Sequence, residues 1–169
     1  MEVGREQRSS LEERFCQMVD QHQTALLRLC YMQLQDQALA EDAVQETFLK
    51  AYRSLDTFRG ACSEKTWLTR IAINTCRDMR RSGWFRRVDR HITPENLPET
   101  GDSFQETDEE ITLAVMNLPC RCREIVLLRY YQQMSLEEVA ETLGVSASTV
   151  STQLNRARKK LRVLLEGGR

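Results

Sequence analysis

The chain has 169 residues, 41% of them hydrophobic and 29% charged, with only seven glycines and three prolines. That is long enough for one domain or two small ones, each with its own core. The dominance of Ala, Leu, Glu, Gln and Arg favours helices over strands, and no apolar run approaches the roughly 20 residues that span a bilayer.

In chain order, Ser10 followed by Glu13 reads as a capping box. It is predicted to open a helix whose apolar positions are Leu11, Phe15, Met18, Val19, His22, Leu26, Leu29 and Cys30. Asp36 is placed to cap a second helix running to about Leu55, with Val44, Phe48, Tyr52 and Leu55 on one side. Residues 56–63 read as a loop, and Ser63 as the cap of a third helix from Glu64 to about Arg81. These three helices predict a first domain over 5–90. Residues 91–106, carrying Pro94, Pro98 and Gly101, read as an acidic tether. A second capping box at Thr107 and Glu110 introduces Ile111, Val115 and Leu118, and Pro119 stands where the next helix starts. Short helices then continue to Leu165, giving a second domain over 107–166. The expected fold class is therefore all-α: two small helical domains joined by a flexible linker.

Charge is distributed in blocks although the net value is −1. Residues 1–60 carry −3, 61–92 carry +5, 93–117 carry −7 and 118–169 carry +4. Two basic blocks on either side of an acidic one suggest two separate contacts with a polyanion. The bland alternative is a set of solvated charged faces.

Six cysteines invite a metal or disulfide reading, but there is no C-x-x-C, and His22 and His91 lie far apart. Cys120 and Cys122 are the close pair, while Cys30 and Cys76 fall on apolar helical faces and read as reduced, core-packing thiols. No catalytic residue, metal ligand or cofactor site is predicted. The charged N-terminus with no apolar run behind it does not resemble a secretory signal. The sequence reads as cytoplasmic, with no membrane insertion.

The strongest local signal is Ser135 to Val150. Ser135 and Glu138 start a short helix packed through Val139, Ala140 and Leu143. Gly144 supplies a tight turn, Val145 is predicted to plug the corner, and Ser146 caps the next helix. The spacing of Ala140, Gly144 and Val150 fits a helix-turn-helix. On the second helix Val150, Leu154, Ala157, Leu161 and Leu164 form the inner stripe. Ser148, Ser151, Thr152, Asn155, Arg156 and Lys159 lie outward, where hydroxyls and an amide can reach base edges and cations suit phosphates. Arg70, Asn74, Arg77 and Arg81 form a second stripe, within about 60° of one another at 100° per residue. Three guanidiniums and an amide suit a nucleic-acid backbone with one base contact. Trp67, beside this stripe, reads as a core anchor in preference to a stacking platform.

The runs Glu41–Arg53, Leu55–Gly60 and Thr66–Thr75 resemble region two of bacterial sigma factors, and Leu118–Leu161 resembles region four. Their order and spacing are similar to the extracytoplasmic-function (ECF) subfamily. That resemblance implies a promoter-specificity subunit of RNA polymerase with no catalysis of its own. It assigns Asp42, Gln45, Glu46 and Leu49 to the β′ coiled coil of the core enzyme, and implies the β flap as a further part of that partner. It assigns Arg70, Asn74, Arg77 and Arg81 to the −10 element, with Asn74 holding a flipped base. Ser148, Ser151, Thr152, Asn155, Arg156 and Lys159 are assigned to the −35 element. Implied partners are promoter DNA, both duplex and single-stranded, and an anti-sigma factor. A free-standing helix-turn-helix regulator is the alternative, but it leaves Asp42–Glu46 and the Arg70–Arg81 stripe without purpose. A thiol or metal enzyme needs clustered ligands that the sequence lacks.

Overall fold

A computed structural model describes residues 2–82 and 106–167. The tether expected at 91–106 lies outside the described residues apart from its last position. Among the described residues every regular element is helical: α1 (Glu2–Leu34), α2 (Gln37–Ser54), α3 (Glu64–Arg81), α4 (Glu106–Met116), α5 (Cys120–Val126), α6 (Leu136–Leu143) and α7 (Ala147–Gly167). A π-helical turn, Leu127–Tyr131, extends α5. None of these helices is long and apolar enough to cross a membrane.

Short-range capping chemistry sets several of the ends. The Asp36 carboxylate accepts the Leu39 amide at 2.8 Å, and the Ser63 hydroxyl accepts that of Thr66 at 3.1 Å. Each satisfies one of the orphan donors of a first helical turn. Ser10 does not cap. It lies inside α1, which begins at Glu2, because the residues before it accept helical geometry and nothing local stops propagation. Thr107 likewise falls within α4, one residue past its start at Glu106.

Helices α1, α2 and α3 pack into one bundle around Met18, Leu26, Leu29, Leu39, Phe48, Leu68 and Ile73. Helices α4 to α7 form a second bundle around Val115, Ile125, Leu128, Val139, Val150 and Leu154. Cys30 and Cys76 are fully buried in the first. The Cys30 thiol is pushed well above its usual range by its hydrogen bond with Cys76 and then by burial, so it stays a neutral core group. Trp67 stacks on Phe58 with ring centroids 4.5 Å apart and packs against the core, as an anchor should.

The two bundles touch directly. Gln33 and Gln35, at the end of α1, meet the C-terminal bundle through their own polar groups. The Gln33 carbonyl accepts Arg123 Nη2 at 3.2 Å, while the Gln35 amide donates to the Met116 carbonyl. Arg123 is only 7% exposed and also donates to the carbonyls of Met116 and Leu118. Burial pulls its pKa down, but a guanidinium titrates so high that it stays charged. Three carbonyls take its Nη donors, while its Nε finds no partner among the described residues.

Candidate promoter and polymerase interface

Three surfaces correspond to the three candidate residue sets. The first is on α2. Asp42, Gln45 and Leu49 are exposed and Glu46 is half-buried, all on the side that faces solvent. Leu49 is 51% and Tyr52 44% exposed, and both line an open apolar groove with Phe15, Val19, Val44 and Phe48. Phe15 holds its floor through edge contacts to Phe48 and Tyr52, with ring centroids 6.2 and 5.0 Å away. A groove of large apolar side chains beside carboxylates and an amide suits a protein surface carrying basic and aliphatic groups. Sequence reasoning had the polar residues and Leu49. It missed that α1 contributes Phe15, Val19 and Gln23 to the groove.

The second surface is the helix-turn-helix. Ser135 and Glu138 form a complete capping box: each side chain holds the other residue's backbone amide, at 3.1 and 2.8 Å. Gly144 ends α6 at φ +68, the left-handed conformation that glycine enters without a Cβ penalty. Ser146 accepts the Thr149 amide at 3.2 Å and so caps α7. Val150, Leu154 and Ala157 are buried against α6 and α5, whereas Ser148, Thr152, Asn155, Arg156 and Lys159 are exposed and Ser151 is half-buried. One face of the helix is thus fixed to the core while the other is offered to solvent, as major-groove reading requires.

Three apolar residues depart from expectation. Val145 is 39% exposed and does not plug the turn; the corner closes through the backbone, with Val145 N donating to the Ala140 carbonyl. Leu164 and Ile111 are 41% and 44% exposed. Leu164 instead lines a shallow apolar groove with Val163, Pro119 and Asn117, edged by Lys159 and Lys160.

The third surface, the α3 stripe, differs most. Asn74 and Arg81 are exposed. Arg70 and Arg77 are spent on the C-terminal bundle. Arg70 Nη2 lies 2.9 Å from a Glu141 carboxylate oxygen, and its Nε donates to the Thr142 hydroxyl at 3.2 Å. Arg77 makes a two-pronged pair with Glu124, Nε to Oε1 at 2.9 Å and Nη2 to Oε2 at 3.0 Å, and donates to the Leu143 carbonyl. Arg80, which the stripe did not include, donates to the same Glu124 at 3.1 Å, to Gln33 at 2.9 Å and to the Cys120 sulfur. The Glu124 side chain is 3% exposed. Two guanidiniums on one buried carboxylate make a charge-assisted contact that neither helix displays in its own periodicity. Around this pair Arg77, Arg80, Arg81 and Arg121 line a cavity of about 560 Å³.

Comparison with known proteins shows the family to which the chain belongs. Residues 18–86 match Sigma-70 region 2 and residues 108–161 match Sigma-70 region 4. The ECF RNA polymerase sigma factor SigW of Bacillus subtilis is 30% identical over 168 residues, an overlap covering 89% of this chain and 88% of SigW. The chain belongs to the ECF sigma factors. SigV of the same organism is 34% identical, over 87% of this chain and 88% of its own. CnrH, solved in complex with the cytosolic domain of CnrY, shares 28% identity and a TM-score of 0.69, covering 92% of this chain and 90% of its own. The fold also matches RpoE of Bartonella quintana, solved with the anti-sigma factor NepR, at a TM-score of 0.75 and 24% identity over 93% of this chain and 99% of that one. As a sigma factor the chain is a specificity subunit of RNA polymerase and directs promoter-specific initiation. The free-standing regulator is not favoured, since the region 2 match takes in the α2 and α3 surfaces it leaves unused.

Proposed function

We propose that this sigma factor divides its work among the three surfaces. The domains are those read from the sequence, 5–90 and 107–166, with 91–106 as the tether. The α2 groove with Asp42, Gln45, Glu46 and Leu49 grips the β′ coiled coil of the core enzyme. Arg70, Asn74, Arg77 and Arg81 on α3 hold the unpaired −10 strand, the guanidiniums on phosphates and the Asn74 amide on a base edge. Ser148, Ser151, Thr152, Asn155, Arg156 and Lys159 on α7 read the −35 duplex in the major groove. The C-terminal bundle also meets the β flap. The protein works in the cytoplasm and carries out no catalysis of its own; the polymerase does the chemistry.

The observation carrying this reading is the two-sided α7, with Val150, Leu154 and Ala157 locked inward while Asn155 and Arg156 face solvent. An anti-sigma factor is a further partner. CnrH was solved with the cytosolic domain of CnrY, and the exposed α2 groove gives such a protein an apolar surface to cover.

Run-off transcription with core polymerase on a library of genomic fragments tests the proposal. Discrete transcripts are expected only when the chain is added, and their start sites should share two elements separated by a fixed spacing. Transcription that is unchanged by the chain, or starts with no shared upstream element, would refute it.

A further inference from the structure

We infer that Cys120 is a modification site whose sulfur exchanges with small disulfides that carry carboxylates. The product is a negatively charged mixed disulfide at the seam between the two bundles. This site goes beyond the promoter and polymerase roles proposed above and needs neither of them.

The setting distinguishes Cys120 from the other cysteines. Cys30, Cys76 and Cys122 are buried and Cys62 is half-buried, which leaves Cys16 and Cys120 exposed. Cys120 lines the cavity of about 560 Å³ where α3 meets the C-terminal bundle. Small-molecule sites run from about 300 to 1,000 Å³, so the space admits a peptide-sized reagent. Four guanidiniums, of Arg77, Arg80, Arg81 and Arg121, line it against the one carboxylate of Glu124. Glu124 is already shared by Arg77 and Arg80, whereas Arg121 is exposed and Arg81 only approaches Asp78 at 4.0 Å. A concave, net positive site of this kind raises the local concentration of anions.

The sulfur itself lies against cations. Arg80 donates to it from Nη1. Arg123 acts on it as well: burial lowers the Arg123 pKa, and the Cys120 sulfur is the strongest influence in the opposite direction. The Arg123 Nε is buried and has no hydrogen-bond partner among the described residues. That leaves one donor of a buried guanidinium for negative charge at this place. Disulfide exchange runs through the thiolate, and here a thiolate has Arg80 and Arg123 as counterions.

The chemistry needs no oxidant besides the disulfide. The Cys120 thiol gives its proton to solvent, and Sγ attacks one sulfur of the reagent. A new S–S bond forms as the old one breaks. The other half of the reagent leaves with the bonding pair as a thiolate and takes up a proton. Cys120 is oxidised and the departing half is reduced. Cys122, two positions on, is buried in the core and does not attack the adduct. The mark therefore lasts until an external thiol removes it.

The test exposes the reduced full chain to oxidised glutathione or to the uncharged bis(2-hydroxyethyl) disulfide, with Cys16 as the internal comparator. Acid quenching and peptide mass spectrometry read the initial rate of adduct formation at each cysteine. With oxidised glutathione, Cys120 is expected to react faster than Cys16 by on the order of tenfold, the low end of electrostatic focusing. The uncharged reagent should show a much smaller preference. Raising the ionic strength from about 0.01 to about 1 M shortens the Debye length from about 30 to 3 Å and should remove most of the difference between the reagents. Arg121→Gln, an exposed change, should slow only the reaction of Cys120 with oxidised glutathione, with helicity by circular dichroism unchanged. Equal rates at Cys120 and Cys16 would overturn the proposal. So would a preference for Cys120 that is the same for both reagents and indifferent to salt and to Arg121→Gln, since Cys120 would then be merely accessible.

Discussion

Replacing Asp42 with Asn and Glu46 with Gln in one chain should weaken association with core polymerase by about 30-fold, with the fold unchanged. Both side chains sit on the solvent side of α2, so no core contact is lost. Glu46 approaches Lys50 at 3.9 Å, an exposed pair of little worth to stability. Against a basic partner surface the same carboxylates are partly desolvated, where a charge-assisted contact contributes about 1.5–3 kcal/mol. Losing roughly 2 kcal/mol in total corresponds to that 30-fold change. Affinity for core enzyme by anisotropy, with thermal unfolding as the control, checks both halves. Equal losses of stability and binding would mean that the residues hold the bundle together and do not grip the polymerase.

The second large effect separates the two sides of α7. Leu154→Ala should destabilise the protein by about 2–5 kcal/mol, because Leu154 is 5% exposed against α5 and α6 and its truncation leaves a cavity. Arg156→Ala, two residues on, should leave stability within about 0.5 kcal/mol, as exposed substitutions do. Its cost should instead fall on −35 duplex binding, about 1–3 kcal/mol, or 5- to 150-fold. Denaturant unfolding and a duplex-binding titration on the same two variants give the comparison. If Arg156→Ala bound the promoter like the parent, α7 would lose its place as the reading helix.

Residues whose structural role is settled within a few positions were legible in the sequence. Asp36, Ser63, Ser135 and Gly144 each solve a local problem, an orphan amide or a left-handed turn, with chemistry visible in a window of four residues. Ser10 carries the same signature and fails, because a capping box marks a helix start only where the preceding residues refuse helical geometry. Periodicity gave the angular face of α7 correctly through Ala157. It did not say how far along that face the neighbouring helices reach, hence the exposed Leu164.

The partners of the α3 stripe were out of reach for a different reason. Glu124 and Glu141 lie 47 and 71 residues from the arginines they bind. Nothing in a helical pattern pairs residues at that range. The block charges pointed to two basic surfaces facing a polyanion, whereas among the described residues Arg70 and Arg77 meet carboxylates of α6 and α5. Glu124 carried no signal of its own: a glutamate in the run Cys120–Val126 reads as a solvated charge until the fold buries it.

In the proposed function α3 and α7 read two different promoter elements on one polymerase. Permanganate footprinting of the reconstituted holoenzyme on one of its own promoters, comparing the parent chain with Asn74→Ala, addresses it most directly. The parent should give reactive, unpaired thymines around −10 together with protection of the −35 duplex from nuclease. Asn74→Ala should lose most of the −10 reactivity and keep the −35 protection, since its side chain is exposed on α3 and far in the chain from the reading helix. Full −10 reactivity in Asn74→Ala, or loss of both signals together, would contradict the assignment.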